Sequence, residues 1–197
     1  MKRRRLRRAP QRDVPLLSWG AMQHNLMATK RRLRRRLFFM AIGCTLVLMP
    51  ALCQPRPFLI WNASASAPLG LYWVESAHNI RRGDMVAARL IEPYATLADQ
   101  RHYLPRAIPL IKRVVAVDHD LVCAGVRGIT VNDRWLASRR LADAKGRPMP
   151  SWHGCIRLED GEIFLLMAEH PNSFDGRYFG ATRVHNIIGK VTLLWPK

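Results

Sequence analysis

The stretch Asn62-Ala-Ser-Ala-Ser-Ala-Pro-Leu-Gly-Leu-Tyr72 places Ser64 and Ser66 directly before a strand-forming run that ends near Val74. Further along the chain, the lone lysine Lys112 lies in the apolar run Pro-Leu-Ile-Lys-Arg-Val-Val-Ala-Val. A serine held close to a lysine in apolar surroundings is one solution for a serine nucleophile that works without histidine. The two segments offer a serine and a lysine for such a pair.

The surroundings of Lys112 favour the role of a general base. If residues 110–117 form a strand, Leu110, Lys112 and Val114 share one face and Arg113 points away from it. Desolvation among aliphatic neighbours disfavours the ammonium form and lowers the lysine pKa, as a base working near neutral pH requires. The plainer interpretations are a lysine at a sheet edge whose amine reaches water, and a Ser-Ala-Ser-Ala stretch that is only a flexible linker.

A third motif, Ser173-Phe-Asp-Gly-Arg-Tyr-Phe-Gly180, follows the other two in the chain. Together with Ser66-Ala-Pro-Leu-Gly-Leu-Tyr72 and Lys112-Arg-Val114, it resembles the conserved boxes of the S26 signal peptidases. Bacterial signal peptidases carry Gly-Asp-Asn-Arg before this third box, whereas the present chain has Ala168-Glu-His-Pro171. That departure points to the TraF-like branch of conjugative transfer systems.

The resemblance implies the chemistry of the first two boxes. Ser66 would be the nucleophile and Lys112 the general base. The hydroxyl of Ser64, together with the backbone N–H of Ser66, would form an oxyanion hole for the charge that develops on the scissile carbonyl oxygen.

The resemblance also implies support from the third box. Ser173 would orient the amine of Lys112, and Asp175 and Arg177 would form an ion pair that braces the site. A polar turn with an ordinary salt bridge is the plainer interpretation of that pair. A Ser-His-Asp arrangement using His170 and Asp175 is an alternative that the sequence leaves open.

The chain after residue 57 is typical of short strands separated by turns. Strand-like runs lie at 58–61, 69–74, 84–90, 110–117, 126–131, 134–136, 163–167 and 187–195, with a hairpin turn at Asn132-Asp133. Residues 91–108 and 138–154 are predicted to be irregular surface loops. This pattern predicts a mainly β domain. The resemblance implies a signal-peptidase fold, a LexA-like β-fold carrying a Ser-Lys dyad, with an N-terminal transmembrane helix.

The positive charge is concentrated at the N-terminus. The formal net charge is +18, and residues 1–36 hold 13 Lys or Arg against the single acid Asp13. The uncharged apolar segment 37–53 that follows lies at the short end of the range for a membrane-spanning helix. By the positive-inside rule, the N-terminus is predicted to be cytoplasmic and the chain beyond residue 53 periplasmic. A cleaved signal peptide is the competing interpretation.

We therefore predict three segments: a basic cytoplasmic arm (1–36), a transmembrane anchor (37–53) and a periplasmic peptidase domain (54–197). Met22 and Met27 offer alternative starts to Met1, so part of the arm could be a start-site artefact. Arginine runs can bind nucleic acid, but the adjoining apolar segment favours anionic lipid. The predicted partners are inner-membrane lipids and an exported precursor, with no nucleic acid.

Cysteines and histidines complete the prediction. Cys123 and Cys155 fall in the predicted periplasmic domain, where a disulfide is permitted, and two buried free thiols are the alternative. Cys44 and Cys53 are expected to act as small apolar residues of the anchor. The histidines do not form a tight metal-binding spacing, so neither a metal nor a cofactor is expected.

The sequence thus predicts a serine endopeptidase of signal-peptidase type in the inner membrane, single-pass, with the catalytic domain in the periplasm. The resemblance implies that it cleaves exported precursors after small residues, with a conjugative prepilin as the plausible substrate. The acyl group would pass either to water or to a peptide amine, which would close a cyclic product. The alternative from another class is a non-catalytic periplasmic scaffold of a conjugation or secretion apparatus that keeps the same fold.

Overall fold

The computed structural model describes residues 14–53 and 57–197, and the chain divides into two compact units, Met1–Pro55 and Arg56–Lys197. In the first unit, one helix, α1 (Val14–Cys53), runs for 40 residues through the basic and the apolar segments. Large apolar side chains between Leu37 and Met49 are exposed.

The predicted transmembrane anchor is not confirmed. Within the described residues, no helix combines the length and the apolar character needed to cross a membrane. Part of the predicted basic arm (residues 1–13) and the start of the predicted peptidase domain (residues 54–56) lie outside the described residues. The boundaries of the three predicted segments therefore stay predictions.

The second unit is mainly β, as predicted. Its elements in chain order are β1 (Leu59–Asn62), β2 (Gly70–Val74), β3 (Met85–Ala88), α2 (Tyr94–Gln100), β4 (Leu110–Ala116), β5 (Leu121–Ala124), β6 (Gly128–Val131), β7 (Arg134–Ser138), β8 (Gly154–Arg157), β9 (Glu162–Leu166), α3 (Gly176–Phe179), β10 (Thr182–Arg183), a 3-10 turn (Val184–Asn186) and β11 (Ile187–Pro196).

These strands form two antiparallel sheets. The larger sheet has seven strands in the order β1-β2-β11-β3-β4-β9-β10, and the smaller has four in the order β7-β6-β5-β8. The predicted hairpin at Asn132-Asp133 joins β6 to β7, and both residues adopt the positive φ that such a tight turn requires.

Two details of the predicted loops are corrected by the structure. The segment 91–108 contains the helix α2, which follows Pro93 and buries Ala95 and Ala98, three residues apart, on one side. The strand β8 begins at Gly154, at the end of the other predicted loop. Its side chains are mostly exposed, so the period-2 alternation that reveals a strand in a sequence is absent there.

The centre of the large sheet provides the floor of the site. β4 lies between β3 and β9, and its face with Leu110, Lys112 and Val114 is buried. Leu110 and Val114 pack with Val86 in one core cluster, while Ile111 packs with Met167 in another. A polar side chain between Leu110 and Val114 on the buried face is consequently removed from water, which is costly unless it has a partner.

Candidate active site

The two serines lie in the connection between β1 and β2, residues 63–69, which we call the nucleophile loop after the role predicted for Ser66. Asn62, the last residue of β1, is buried and organises this loop. Its side-chain amide donates to the carbonyl oxygens of Ser64, Ala67 and Pro68, and its Oδ1 accepts from the backbone N–H of Ser64. The main chain is thereby curled around one side chain.

The nucleophile loop brings Ser66 onto Lys112. The Nζ of Lys112 donates to the Oγ of Ser66 at 2.6 Å, and the lysine is only 4% exposed. Lys112 stands opposite Val86 of β3 in the sheet, and its neighbour Arg113 is exposed on the other side, where it donates to the carbonyl of Gly83. The predicted alternation along β4 is therefore observed at Lys112 and Arg113.

Ser64 lies beside the same hydroxyl. The Oγ atoms of Ser64 and Ser66 are 3.1 Å apart, and the backbone N–H of Ser66 approaches the Ser64 Oγ at 3.5 Å. An N–H and a hydroxyl on one side of a serine nucleophile are the type of donors that can receive an oxyanion.

Burial shifts the acid-base behaviour of Lys112. Desolvation lowers its pKa to about 8, and the nearby charges act in opposite directions, since Asp175 raises the pKa and Arg177 lowers it. At pH 7, a group with this pKa is unprotonated in about a tenth of the molecules, compared with well under a thousandth for an ordinary lysine. The amine can therefore accept a proton near neutral pH.

Asp175 and Arg177 form a fully buried ion pair behind the lysine. The guanidinium contacts both carboxylate oxygens at 2.8 Å, through Nε and Nη2. Asp175 also caps α3 and accepts from the backbone N–H of Met167, while Arg177 Nη2 donates to the carbonyls of Met167 and His170. Because every strong donor and acceptor of the pair has a partner, the buried charges are compensated and the chain around them is fixed.

A cavity of about 410 Å³ opens in front of the Ser66–Lys112 pair. Its far wall includes Tyr103 and Asp143, whose side chains are joined by a hydrogen bond of 2.5 Å. The Tyr103 hydroxyl, followed by the backbone and side chain of Arg147, holds the pKa of Asp143 well below its usual value. Asp143 therefore remains ionised at neutral pH and does not compete with Lys112 as the titrating group.

Comparison with known proteins identifies the family. The family model of signal peptidase, peptidase S26, matches residues 31–195. Two curated proteins named plasmid transfer protein TraF, both from Escherichia coli, are similar: one is 32% identical over 60% of this chain and 72% of its own length, the other 30% identical over 80% and 94%. The chain belongs to the S26 signal peptidase family. Its TraF-like branch, predicted from the three motifs, is confirmed by the two relatives.

A solved structure of a signal peptidase I from Enterococcus faecalis V583 is also similar to this S26 chain. It is 20% identical, and the match covers 58% of this chain and 97% of that chain with a TM-score of 0.35. Membership of the S26 family supports a peptidase-type or TraF-like role for the protein.

In this S26 protein, the predicted contact between Ser173 and Lys112 is not formed. Ser173 is 2% exposed and lines the same cavity, but its Oγ has no hydrogen-bond partner among the described residues. The backbone N–H of Ser173 donates to the backbone carbonyl of His170, which fixes the main chain but not the Ser173 hydroxyl. The orienting role of Ser173 therefore stays a prediction.

The alternative Ser-His-Asp arrangement lacks a contact within the described residues. Both carboxylate oxygens of Asp175 are occupied by Arg177 and the backbone of Met167, and no hydrogen bond joins its carboxylate to the His170 side chain. The lysine, and not a histidine, is the titratable group that contacts Ser66.

The predicted disulfide cysteines and one cluster of possible metal ligands lie outside the cavity. Cys123 and Cys155 stand opposite each other on β5 and β8 and form a disulfide. Asp118, His119 and Asp160 are the one group among the described residues whose ligand atoms could surround a metal ion, but all three are exposed and none lines the cavity. Exposed acidic groups of this kind are common without a metal.

Two residues of the S26 site were missed by sequence reasoning. The sequence prediction gives no site role to Asn62 and includes Tyr72 as the last residue of the family box. In the structure, the Tyr72 hydroxyl donates to the carbonyl of Pro68, which also accepts from Asn62. The signal that could have found them is a polar residue at an inward-facing strand position, since such a residue needs a hydrogen-bond partner.

Proposed function

We propose that this protein is a serine endopeptidase in which Ser66 is the nucleophile and Lys112 is the general base. The observation that carries the proposal is the 2.6 Å contact between the Lys112 Nζ and the Ser66 Oγ, made by a lysine that is buried and has a pKa near 8. A buried lysine in a purely structural role would be expected to contact a carboxylate, not a serine hydroxyl at the edge of a cavity.

The chemistry follows from this contact. Ser66 Oγ forms a bond to the scissile carbonyl carbon while its proton passes to the neutral Lys112 amine. The Ser64 hydroxyl and the Ser66 N–H receive the oxyanion. Collapse breaks the C–N bond, and the Lys112 ammonium returns the proton to the leaving amine, which leaves an acyl ester on Ser66. An incoming nucleophile then releases the acyl group and the serine.

The substrate of the proposed reaction is an exported precursor protein with small residues before the cut. The TraF-like relatives support a precursor from a conjugative system, with a prepilin as the candidate. If water resolves the acyl ester, the product is linear. If a peptide amine resolves it, the product is cyclic and lighter by one water than the linear peptide.

We also place the protein in the inner membrane, through α1, with the second unit in the periplasm. Support comes from the uncharged segment 37–53 of α1, the exposed apolar side chains within it and the arginine cluster before it. A reporter fused after Lys197 should be active only in the periplasm. Reporter activity in the cytoplasm would contradict this topology.

The rival function is a periplasmic scaffold that keeps the fold but has no activity. Reaction of the full-length protein with a β-lactam separates the two, because ring opening by an activated serine adds the whole probe to the protein as a stable ester. We expect mass mapping to locate the adduct on Ser66 and to find none in Ser66→Ala. Protein that stays unmodified in a folded state would favour the scaffold.

A further inference from the structure

The shape of the nucleophile loop depends on one side chain. From residue 63 to residue 68 the loop has a single internal main-chain hydrogen bond, from the Ala67 N–H to the Ser64 carbonyl at 3.4 Å. The side chain of Asn62 makes four hydrogen bonds to the same segment, all between 3.0 and 3.1 Å. Asn62 therefore replaces the main-chain pairing that ends where β1 and β2 separate.

The contacts of Asn62 bracket Ser66 on both sides. On one side, Ser64 is held through both its N–H and its carbonyl. On the other side, the carbonyls of Ala67 and Pro68 are held by the same amide group. Ser64 and Ser66 line the cavity, as does Asn62 itself, and the Ser66 hydroxyl contacts both the Ser64 hydroxyl and Lys112.

We propose that Asn62 is a positioning residue that holds the Ser66 Oγ at reacting distance from Lys112 and from the incoming carbonyl. This role rests on the proposed function. Asn62 acts through the loop and takes no proton, so it should set the rate of Ser66 attack without setting the pKa of the base. A misplacement of about 1 Å can cost roughly a hundredfold in rate.

The test uses two variants of the full-length protein and the β-lactam acylation of Ser66. Asn62→Ala removes the hydrogen bonds and the volume, whereas Asn62→Leu removes the hydrogen bonds but fills the space. For both variants we expect the acylation rate at the pH plateau to fall roughly a hundredfold. The pH at which the acylation rate is half-maximal should remain near 8, the value expected for the wild-type protein from the pKa of Lys112.

Asn132→Ala is the matched control. Asn132 also makes two-sided contacts, to the Leu121 N–H and to Asp120, but in the small sheet and outside the cavity. Because Asn132 is exposed, Asn132→Ala should lose less thermal stability than the Asn62 variants, and it should keep the wild-type acylation rate. Tyr72→Phe is a milder test should both Asn62 variants fail to fold, because it removes only one of the two hydrogen bonds to the Pro68 carbonyl. It should lower the rate severalfold.

The outcomes separate the role of Asn62 from the proposed function. A wild-type acylation rate in Asn62→Leu would show that the residue only fills space, and it would overturn the positioning role. If both Asn62 variants fail to fold, a wild-type acylation rate in Tyr72→Phe would overturn the role in the same way. A shift of the half-maximal pH with full recovery of the rate at high pH would show that Asn62 acts on Lys112 instead. A Ser66 that does not react with the β-lactam in the wild-type protein would overturn the proposed function, and with it the positioning role of Asn62.

Discussion

Lys112 combines two properties that rarely occur together in a lysine: it is buried, and its only side-chain partner among the described residues is a neutral hydroxyl. The alternation along β4 was predictable from the sequence, because Leu110 and Val114 flank the lysine on one face. The closeness of Ser66 was not predictable from the alternation, since it depends on how a loop between two other strands is folded. The family motifs supplied that link.

Replacing Lys112 by arginine separates a base from a structural cation. Arginine keeps the positive charge but does not deprotonate in this pH range. We expect Lys112→Arg to lower Ser66 acylation by at least about a hundredfold, the lower end of what a general base contributes. Acylation of Lys112→Ala should be similarly slow. Ser66→Ala should form no adduct, and its thermal unfolding temperature should stay close to that of the wild-type protein.

Replacing Ser64 by alanine tests the oxyanion hole. The hydroxyl of Ser64 is removed while the backbone N–H of Ser66 remains, so one of the two proposed donors is lost. We expect acylation to slow by roughly a hundredfold to a thousandfold. The rate should be measured at the pH plateau, with Ser138→Ala, outside the cavity, as the control. If Ser64→Ala is acylated at the wild-type rate, Ser64 is not a donor of the oxyanion hole.

The third motif depends on a glycine for a packing reason. A Cβ on Gly176 would lie 2.8 Å from the carbonyl oxygen of Leu165 and 2.8 Å from the ring of Phe164. This close approach lets α3 lie against β9 and keeps Asp175 and Arg177 behind the lysine. The sequence indicated the motif but not this contact, because the ring of Phe164 reaches Gly176 of α3 from β9.

We expect Gly176→Ala to lower the free energy of unfolding by about 1–3 kcal/mol, the usual cost of overpacking. Urea denaturation measures this change. Gly125→Ala is the control, because a Cβ there would lie 3.9 Å from its nearest neighbour, the carbonyl oxygen of Gly128, and the backbone conformation is not strained. Equal stability of the two variants would contradict the packing role of Gly176.

At the scale of elements, the disulfide fastens β5 to β8 in the small sheet. The bond joins positions 32 residues apart in the chain and lies outside the cavity. Replacing both Cys123 and Cys155 by serine should lower the free energy of unfolding by about 2–4 kcal/mol. Urea denaturation tests this, with Cys44→Ser in α1 as the control. An unchanged free energy of unfolding in the double variant would mean that the disulfide does not stabilise the domain.

The strands of both sheets were largely predictable, since most of them alternate buried and exposed residues or are continuously apolar. The predicted strand-like runs do not include β5, β8 or the two-residue β10, and α2 was not predicted. α2 is short and starts after a proline, and β8 has few buried side chains, so neither has a clear period. The pairing order of the sheets could not be predicted from the pattern, because β11 joins β2 to β3 across most of the length of the chain.

At the scale of the whole molecule, the second unit assembles its site from three distant segments. The nucleophile loop, β4 and the segment around α3 each carry one of the three motifs, and the large sheet and the Asp175–Arg177 pair bring them together. Because the three motifs follow the order of the family boxes along the chain, the sequence predicted that they form one site. It did not predict that Ser173 lacks a hydrogen bond to Lys112, or that Asn62 makes the contacts that fold the loop.

The most direct measurement is the rate of β-lactam acylation at Ser66 as a function of pH in the full-length protein. Since only the neutral amine accepts the proton, the rate should rise about tenfold per pH unit below 8 and level off above it, following the pKa of Lys112. Asp143 stays ionised across this range. His170 also lines the cavity, so His170→Gln should give the same profile. A rate that does not change with pH, or a profile that persists in Lys112→Arg, would contradict the Ser66–Lys112 dyad.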